Sequence, residues 1–198
     1  MDTEAGADAD GDPAYLYRPS LIGAGWEFRL RPDALEWRMG RHHGRVPYAG
    51  VVRVRLSFRP QTMQARRFVT EVWPAGGPKL TIASASWRGM LEQATQDAAY
   101  GAFVRELHAR LAAAGAAAAY DAGSPVLLYW PGLAVLAAAG AALAGLLGHA
   151  LLSRQWTAAA LIGGFLALLA WQSGTFFGRN RPARYRPDAP PPRLLPGK

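Results

Sequence analysis

Four places in this 198-residue chain carry side chains of the types that do chemistry. The neighbours His42 and His43 could ligate a metal, but on a strand adjacent side chains point to opposite faces and cannot share one ion. They read more simply as a solvent-exposed turn. Gly76-Gly77-Pro78-Lys79 superficially suggests a phosphate loop, yet it has a proline, lacks the Gly-x-x-x-x-Gly-Lys-Ser/Thr spacing, and reads as a turn. Acid/base work would need convergence among Glu27, Glu36, Glu71, Glu92, Asp97 and Glu106, which are scattered among arginines at positions expected to face water. Ser84 and Ser86, beside Trp87, have no histidine at an interpretable spacing and no nucleophile-elbow pattern. The expectation is a protein that is not an enzyme and holds no metal or cofactor.

Composition narrows the classes further. Cysteine is absent, which excludes disulfides and thiolate metal sites. The net charge is +8, but residues 1–125 hold 15 Lys and Arg against 13 Asp and Glu, whereas residues 178–198 hold 6 against 1. Basicity concentrated in the tail points to membrane topology before nucleic acid, so no nucleic-acid partner is expected.

The elements that must carry any function divide sharply. Residues 126–152 contain no Asp, Glu, Lys or Arg, and neither do residues 155–178. About 20 apolar residues at ~1.5 Å each cross a bilayer, so each run is long enough. Only Leu152, Ser153, Arg154 and Gln155 separate them, which predicts an antiparallel hairpin of two transmembrane helices, 126–152 and 156–177. Both chain ends then share one side. The turn has Arg154 alone, whereas Arg179, Arg181, Arg184 and Arg186 follow the second helix, so both termini are expected in the cytoplasm as headgroup and topology anchors. Trp130, Trp156 and Trp171 sit where interfacial aromatic belts belong. Small residues recur four apart at Gly140, Ala144 and Gly148, and at Ala159, Gly163 and Ala167, which predicts close packing of those faces, within the hairpin or between copies. His149 reads as an interfacial polar residue.

The remaining chain predicts one small α+β domain over residues 24–115. Residues 1–20 read as a disordered, acidic N-terminus without a cleavable signal. Residues 26–31 alternate apolar and polar, as do Leu35, Trp37 and Met39 with Glu36 and Arg38. Val46 and Tyr48 mark a short third strand, and residues 51–59 a fourth, with Val52, Val54, Leu56 and Phe58 on one face and Arg53, Arg55, Ser57 and Arg59 on the other. Residues 68–73 and 79–83 complete an antiparallel meander. Tyr100, Phe103, Val104, Leu107 and Leu111 then show helical periodicity. Residues 116–125 read as a linker, and 178–198 as a basic, proline-rich tail.

A curved antiparallel sheet capped by one C-terminal amphipathic helix resembles the pleckstrin-homology (PH) superfold. The segment FRLRPDALEWRMGRHHGRVPYAGVVRVR, residues 28–55, resembles the opening of bacterial PH-like domains. Val46, Pro47 and Tyr48, then Val51 and Val54, stand where those domains carry an Ile-Pro-Tyr-x-x-Ile-x-x-Val-like element. Such domains often accompany a transmembrane hairpin, though in many of them the hairpin comes first. The whole chain resembles two-helix inner-membrane proteins of proteobacteria, which implies no activity. The resemblance implies a membrane-anchored binding module with membrane lipids as partners. Its candidate ligand-binding residues are Arg29, Arg38, Arg53, Arg55, Arg59, Arg66 and Arg67, meeting anionic headgroups or a protein segment. The alternatives are a solvated sheet whose arginines pair with Glu27, Glu36 and Glu71, and a structural subunit, possible homo-oligomer included, that interacts through its small-residue helix faces.

Overall fold

The computed structural model describes residues 11–20, 23–59, 67–87 and 93–196. The chain forms two compact units, residues 1–123 with 183–198, and residues 124–182.

The first unit is α+β. Strands β1 (Ala14–Tyr17), β2 (Trp26–Leu30), β3 (Ala34–Met39) and β4 (His42–Pro47) form a four-stranded antiparallel sheet in that order. Strands β5 (Val51–Phe58), β6 (Phe68–Pro74) and β7 (Leu80–Ala83) form the antiparallel part of a second sheet. A short hairpin, β8 (Ala85–Trp87) with β9 (Gln93–Thr95), leads to helix α1 (Asp97–Ala113). Strand β10 (Ala119–Ala122) then lies parallel to β5. After the second unit, β11 (Ala183–Arg184) pairs antiparallel with β10, so the second sheet runs β11-β10-β5-β6-β7. Among the described residues the sheets do not close into a barrel.

Alternation builds the core as expected. Phe28 and Leu30 of β2, Leu35 of β3, Val46 of β4, and Val54, Leu56 and Phe58 of β5 are buried. So are Tyr100, Phe103, Val104, Leu107 and Leu111, one face of α1. The cluster is rich in tyrosine, and some of the buried hydroxyls find carbonyls, whereas that of Tyr120 has no partner among the described residues. Tyr15 donates to Ala83 at 2.7 Å and Tyr48 to Arg31 at 2.7 Å.

Four expectations need correction. Ala14–Tyr17 is a strand inside the stretch expected to be disordered; Tyr15 and Tyr17 are buried against the core, which an acidic composition averaged over residues 1–20 conceals. His42 and His43 lie in β4, not in the turn, because Gly40 at φ +63° closes a two-residue connection with Arg41. A register shift between Val51 and Arg53 makes a bulge, so Val51 is buried and Val52 is 49 % exposed, the reverse of strict alternation. The linker 116–125 contains β10, pulled into order by pairing with β5. The basic, proline-rich tail adds to the core: beyond β11, Leu194 and Leu195 enter it.

The second unit is a hairpin of α2 (Val126–Leu152) and α3 (Trp156–Arg179), joined by a tight turn with Arg154 at φ +55°. The covered residues of α2 recur in sevens, Tyr129, Leu136, Leu143 and Ala150, interleaved with Leu133, Gly140 and Leu147. On α3 the same holds for Ala159, Leu166 and Ser173, with Ile162, Leu169 and Phe176. A repeat of seven in two packed helices is the knobs-into-holes seam of left-handed antiparallel packing. The Tyr129 hydroxyl ties the helix ends together through the Phe177 carbonyl, 3.2 Å away.

Candidate functional site

Of the seven candidate arginines, Arg29 and Arg38 lie on the first sheet and Arg53, Arg55 and Arg59 on or beside the second. Outward positions of β2, β3 and β4 stand in cross-strand rows, Glu27–Arg38–His43 and Arg29–Glu36–Arg45. They line a concavity of about 330 Å³. Its charges cancel locally. Glu27 holds Arg29 at 2.6 Å and faces Arg38 at 3.8 Å, Arg31 reaches Glu36 at 3.1 Å, and Arg45 reaches Asp33 at 2.5 Å. The Arg45 hydrogen bonds hold the Asp33 carboxyl below the usual carboxylate range. Arg29 and Arg38 therefore belong to a balanced checkerboard, and this face offers an anion little net attraction.

The floor of that sheet is shaped by one glycine. Trp37 and Gly44 are paired across β3 and β4, and a Cβ on Gly44 would stand 2.7 Å from Trp37 Cζ2. The indole can lie flat on β4 only because position 44 has no side chain.

The second sheet is different. Its β5 and β6 bring Arg53 opposite Trp73 and Arg55 opposite Glu71. The Arg53 and Arg55 guanidinium carbons lie 6.0 and 5.4 Å from the Trp73 ring centroid, and Lys79 Nζ lies 5.7 Å from it. Cations in this position are drawn to the negative face of the indole. Glu71, with a side chain 4 % exposed, accepts from Lys79 at 2.9 Å and from Arg59 at 3.1 Å. Asp121 of β10 lies 3.4 Å from Arg53 and 3.7 Å from Arg55. Arg184 of β11 stands directly across from Asp121. Five cations thus share this sheet with the carboxylates Glu71 and Asp121, which leaves it net positive. Arg53, Arg59 and Lys79 remain about half exposed. Sequence reasoning missed Trp73, Lys79 and Asp121, because their association is set by strand register across β10, β5 and β6.

Arg67 is apart from both groups. It is partly buried, its Nε has no acceptor among the described residues, and burial pushes the guanidinium below its ordinary pKa, with Tyr17 opposing and Arg59 adding to the shift. It stays charged at neutral pH because an arginine starts so high. Arg66 lies outside the described residues.

Of the expected anchors, Arg179 ends α3 and Arg181 is exposed, whereas Arg184 is part of β11 and Tyr185 beside it is packed into the first unit. Arg186 is exposed. The Tyr185 hydroxyl meets His108 Nε2 at 2.8 Å, and His108 Nδ1 meets the Val104 carbonyl at 2.7 Å. A carbonyl only accepts, so the proton is on Nδ1 and Nε2 accepts from Tyr185. Burial lowers the His108 pKa and raises that of Tyr185, and both shifts keep this neutral pair as drawn.

Trp130, Trp156 and Trp171 are all exposed on the second unit. The small residues divide between the seam and the outer surface of the hairpin. Ala159 is buried and a Cβ on Gly163 would meet Leu147 at 3.9 Å, so these two lie on the seam. Ala144 and Ala167 are exposed, and Cβ atoms built at Gly140 and Gly148 would meet nothing within 4 Å. Leucines spaced in sevens, with Gly140 among them on α2, fill the rest of the seam.

Among the described residues no group of three or more His, Cys, Asp or Glu side chains is placed to hold a metal ion. The chemistry on offer is charge, indole and apolar surface. Comparison with family models, with curated proteins and with solved structures finds no match for this chain.

Proposed function

We propose that the chain is a membrane-anchored, non-enzymatic binding module, with α2 and α3 crossing the bacterial inner membrane and a PH-like unit and both termini in the cytoplasm. The observation that carries this reading is the bareness of the hairpin. Leu127 is 86 % exposed, Leu152 88 % and Trp171 73 %, and the most apolar 18-residue windows of α2 and α3 are only 6 % and 0 % buried. A core helix of a water-soluble protein would be mostly covered, and apolar surface of this extent is stable in lipid. The PH-like reading is supported by sheets built from β1–β4 and β5–β7 with α1 following. Orientation is supported by Arg154 alone in the turn against Arg179 and Arg181 after α3.

The module's ligand in this reading is anionic, contacted from the net-positive second sheet. A peptide added as a strand to β5 would have to displace β6 or β10, since both edges of β5 are paired. Headgroup contact needs no free edge.

Alkaline carbonate extraction tests the anchor: the chain stays in the membrane pellet, and its release into the supernatant would end the proposal. Orientation is read from reporters placed in the Ser153 turn and after Lys198, which should fall on opposite sides.

A second reading, a structural subunit or assembly factor of a larger membrane complex, is favoured by the outward small residues Ala144 and Ala167. Disulfide capture at introduced Ala144→Cys or Ala167→Cys in native membranes separates the two, since a lone module gives no cross-linked species.

A further inference from the structure

We infer that the end of the second sheet around Trp73 docks onto the anionic headgroup layer of a lipid bilayer, an inference that rests on the membrane reading of α2 and α3. Three features meet there. The β6–β7 connection is an exposed turn, Ala75 to Lys79, whose first charged residue is Lys79 itself. The bulge in β5 turns Val52 outward, next to Arg53, at the strand end where Val51 pairs with Pro74 and Arg53 with Trp73. Arg53, Arg55 and Lys79 gather around the Trp73 indole within 6.0 Å of its centroid.

Each feature matches one layer of a bilayer surface. Phosphates attract Arg53 and Lys79, which are half exposed beside the face of the indole. Trp73 and Val52 supply the amphipathic and apolar contacts that suit the boundary between headgroup and acyl chain. Glu71 does not oppose this, because its carboxylate is buried and already bound by Arg59 and Lys79. An acidic protein segment fits less well. Between Val69 and Val72 β6 is paired on both edges, as is β5 between Arg53 and Leu56, so only short strand ends are left to register a peptide.

The absence of cysteine makes the test clean. Gly76 has an ordinary negative φ and nothing within 4 Å of a built Cβ, so Gly76→Cys tolerates an environment-sensitive fluorophore at the turn. The full-length labelled chain is placed in nanodiscs of phosphatidylcholine alone, or with about one third phosphatidylglycerol. The expected result is a blue shift and brighter emission in the anionic discs only. Salt at about 0.5 M, where the Debye length is roughly 4 Å, should reverse it. Arg53→Ser with Lys79→Ser should remove it, while circular dichroism shows the fold intact. A label at Arg41→Cys, in the β3–β4 turn, should not respond.

Equal emission in neutral and anionic discs, or an equal response at residue 41, overturns the docking surface. So does a shift of the same size when polyglutamate is added to neutral discs, which would assign the patch to an acidic protein instead. Co-elution of the chain with neutral discs keeps the two readings apart: failure to co-elute rejects the membrane hairpin, whereas co-elution without an anionic response rejects only the docking surface.

Discussion

Cutting the chain after Pro182 should unfold the first unit, although that unit's other described residues, up to Gly123, come earlier in the sequence. The cut removes β11, the Tyr185 hydroxyl that His108 accepts at 2.8 Å, and the side chains of Leu194 and Leu195, which are 0 % and 7 % exposed. Emptying a buried leucine site costs about 2–5 kcal/mol, and a hydrogen bond of this kind about 1 kcal/mol. The loss is therefore on the order of 5–10 kcal/mol, against a total stability of about 5–15 kcal/mol for a typical domain. Urea unfolding in mild detergent, followed by near-ultraviolet circular dichroism, gives the readout. The truncated chain should show no cooperative transition, and Leu194→Ala alone should lower the midpoint by the equivalent of about 2–5 kcal/mol. Replacing the exposed Arg184 and Arg186 together by glutamine should leave the transition close to its original position, because exposed charges contribute little. A truncated chain that melts like the full one would show that the last residues are an appendage and that their burial does not stabilise the unit.

Gly44→Ala places a Cβ 2.7 Å from Trp37 Cζ2 and should destabilise the first unit by about 1–3 kcal/mol, read as a lower thermal midpoint, with Trp37→Leu in the same chain relieving the clash. His108 has its pKa lowered by burial, so the unfolded chain binds the extra proton first. Stability should be flat above the unfolded value of about 6.5 and fall as the pH drops below it toward the folded pKa, a slope that His108→Gln should reduce in urea melts at successive pH values. In the hairpin, Leu143→Ala on the seam should weaken α2–α3 association, whereas Leu146→Ala, on the uncovered side, should leave it unchanged, as measured by unfolding in detergent titrated with sodium dodecyl sulfate.

Much of this protein was legible from residue order because it depends on local periodicity. The apolar runs gave α2 and α3 within two residues of their observed ends, as no charge interrupts either one. The period-two alternation at Trp26, Phe28 and Leu30 and the helical recurrence from Tyr100 to Leu111 placed β2 and α1 in the same way. Partnership was not legible. Leu194 and Leu195 sit among prolines without a repeat of their own, and nothing nearby indicates that a sheet more than seventy residues earlier receives them. The pairing of β10 with both β5 and β11 orders two segments that look like linker and tail, because backbone hydrogen bonding across a sheet is indifferent to composition. The same holds for charge. Local counting left open whether the strand arginines meet a ligand or pair with carboxylates, whereas the folded sheets put Glu27 beside Arg29 and Arg38, and gathered Arg53, Arg55 and Lys79 about Trp73. Sequence by itself determined the strands with clear alternation, helix α1 and the two long apolar helices, since those depend on neighbours two to four positions away. Which cations remain uncompensated depends on groups brought together from distant strands, and only the tertiary structure decides that.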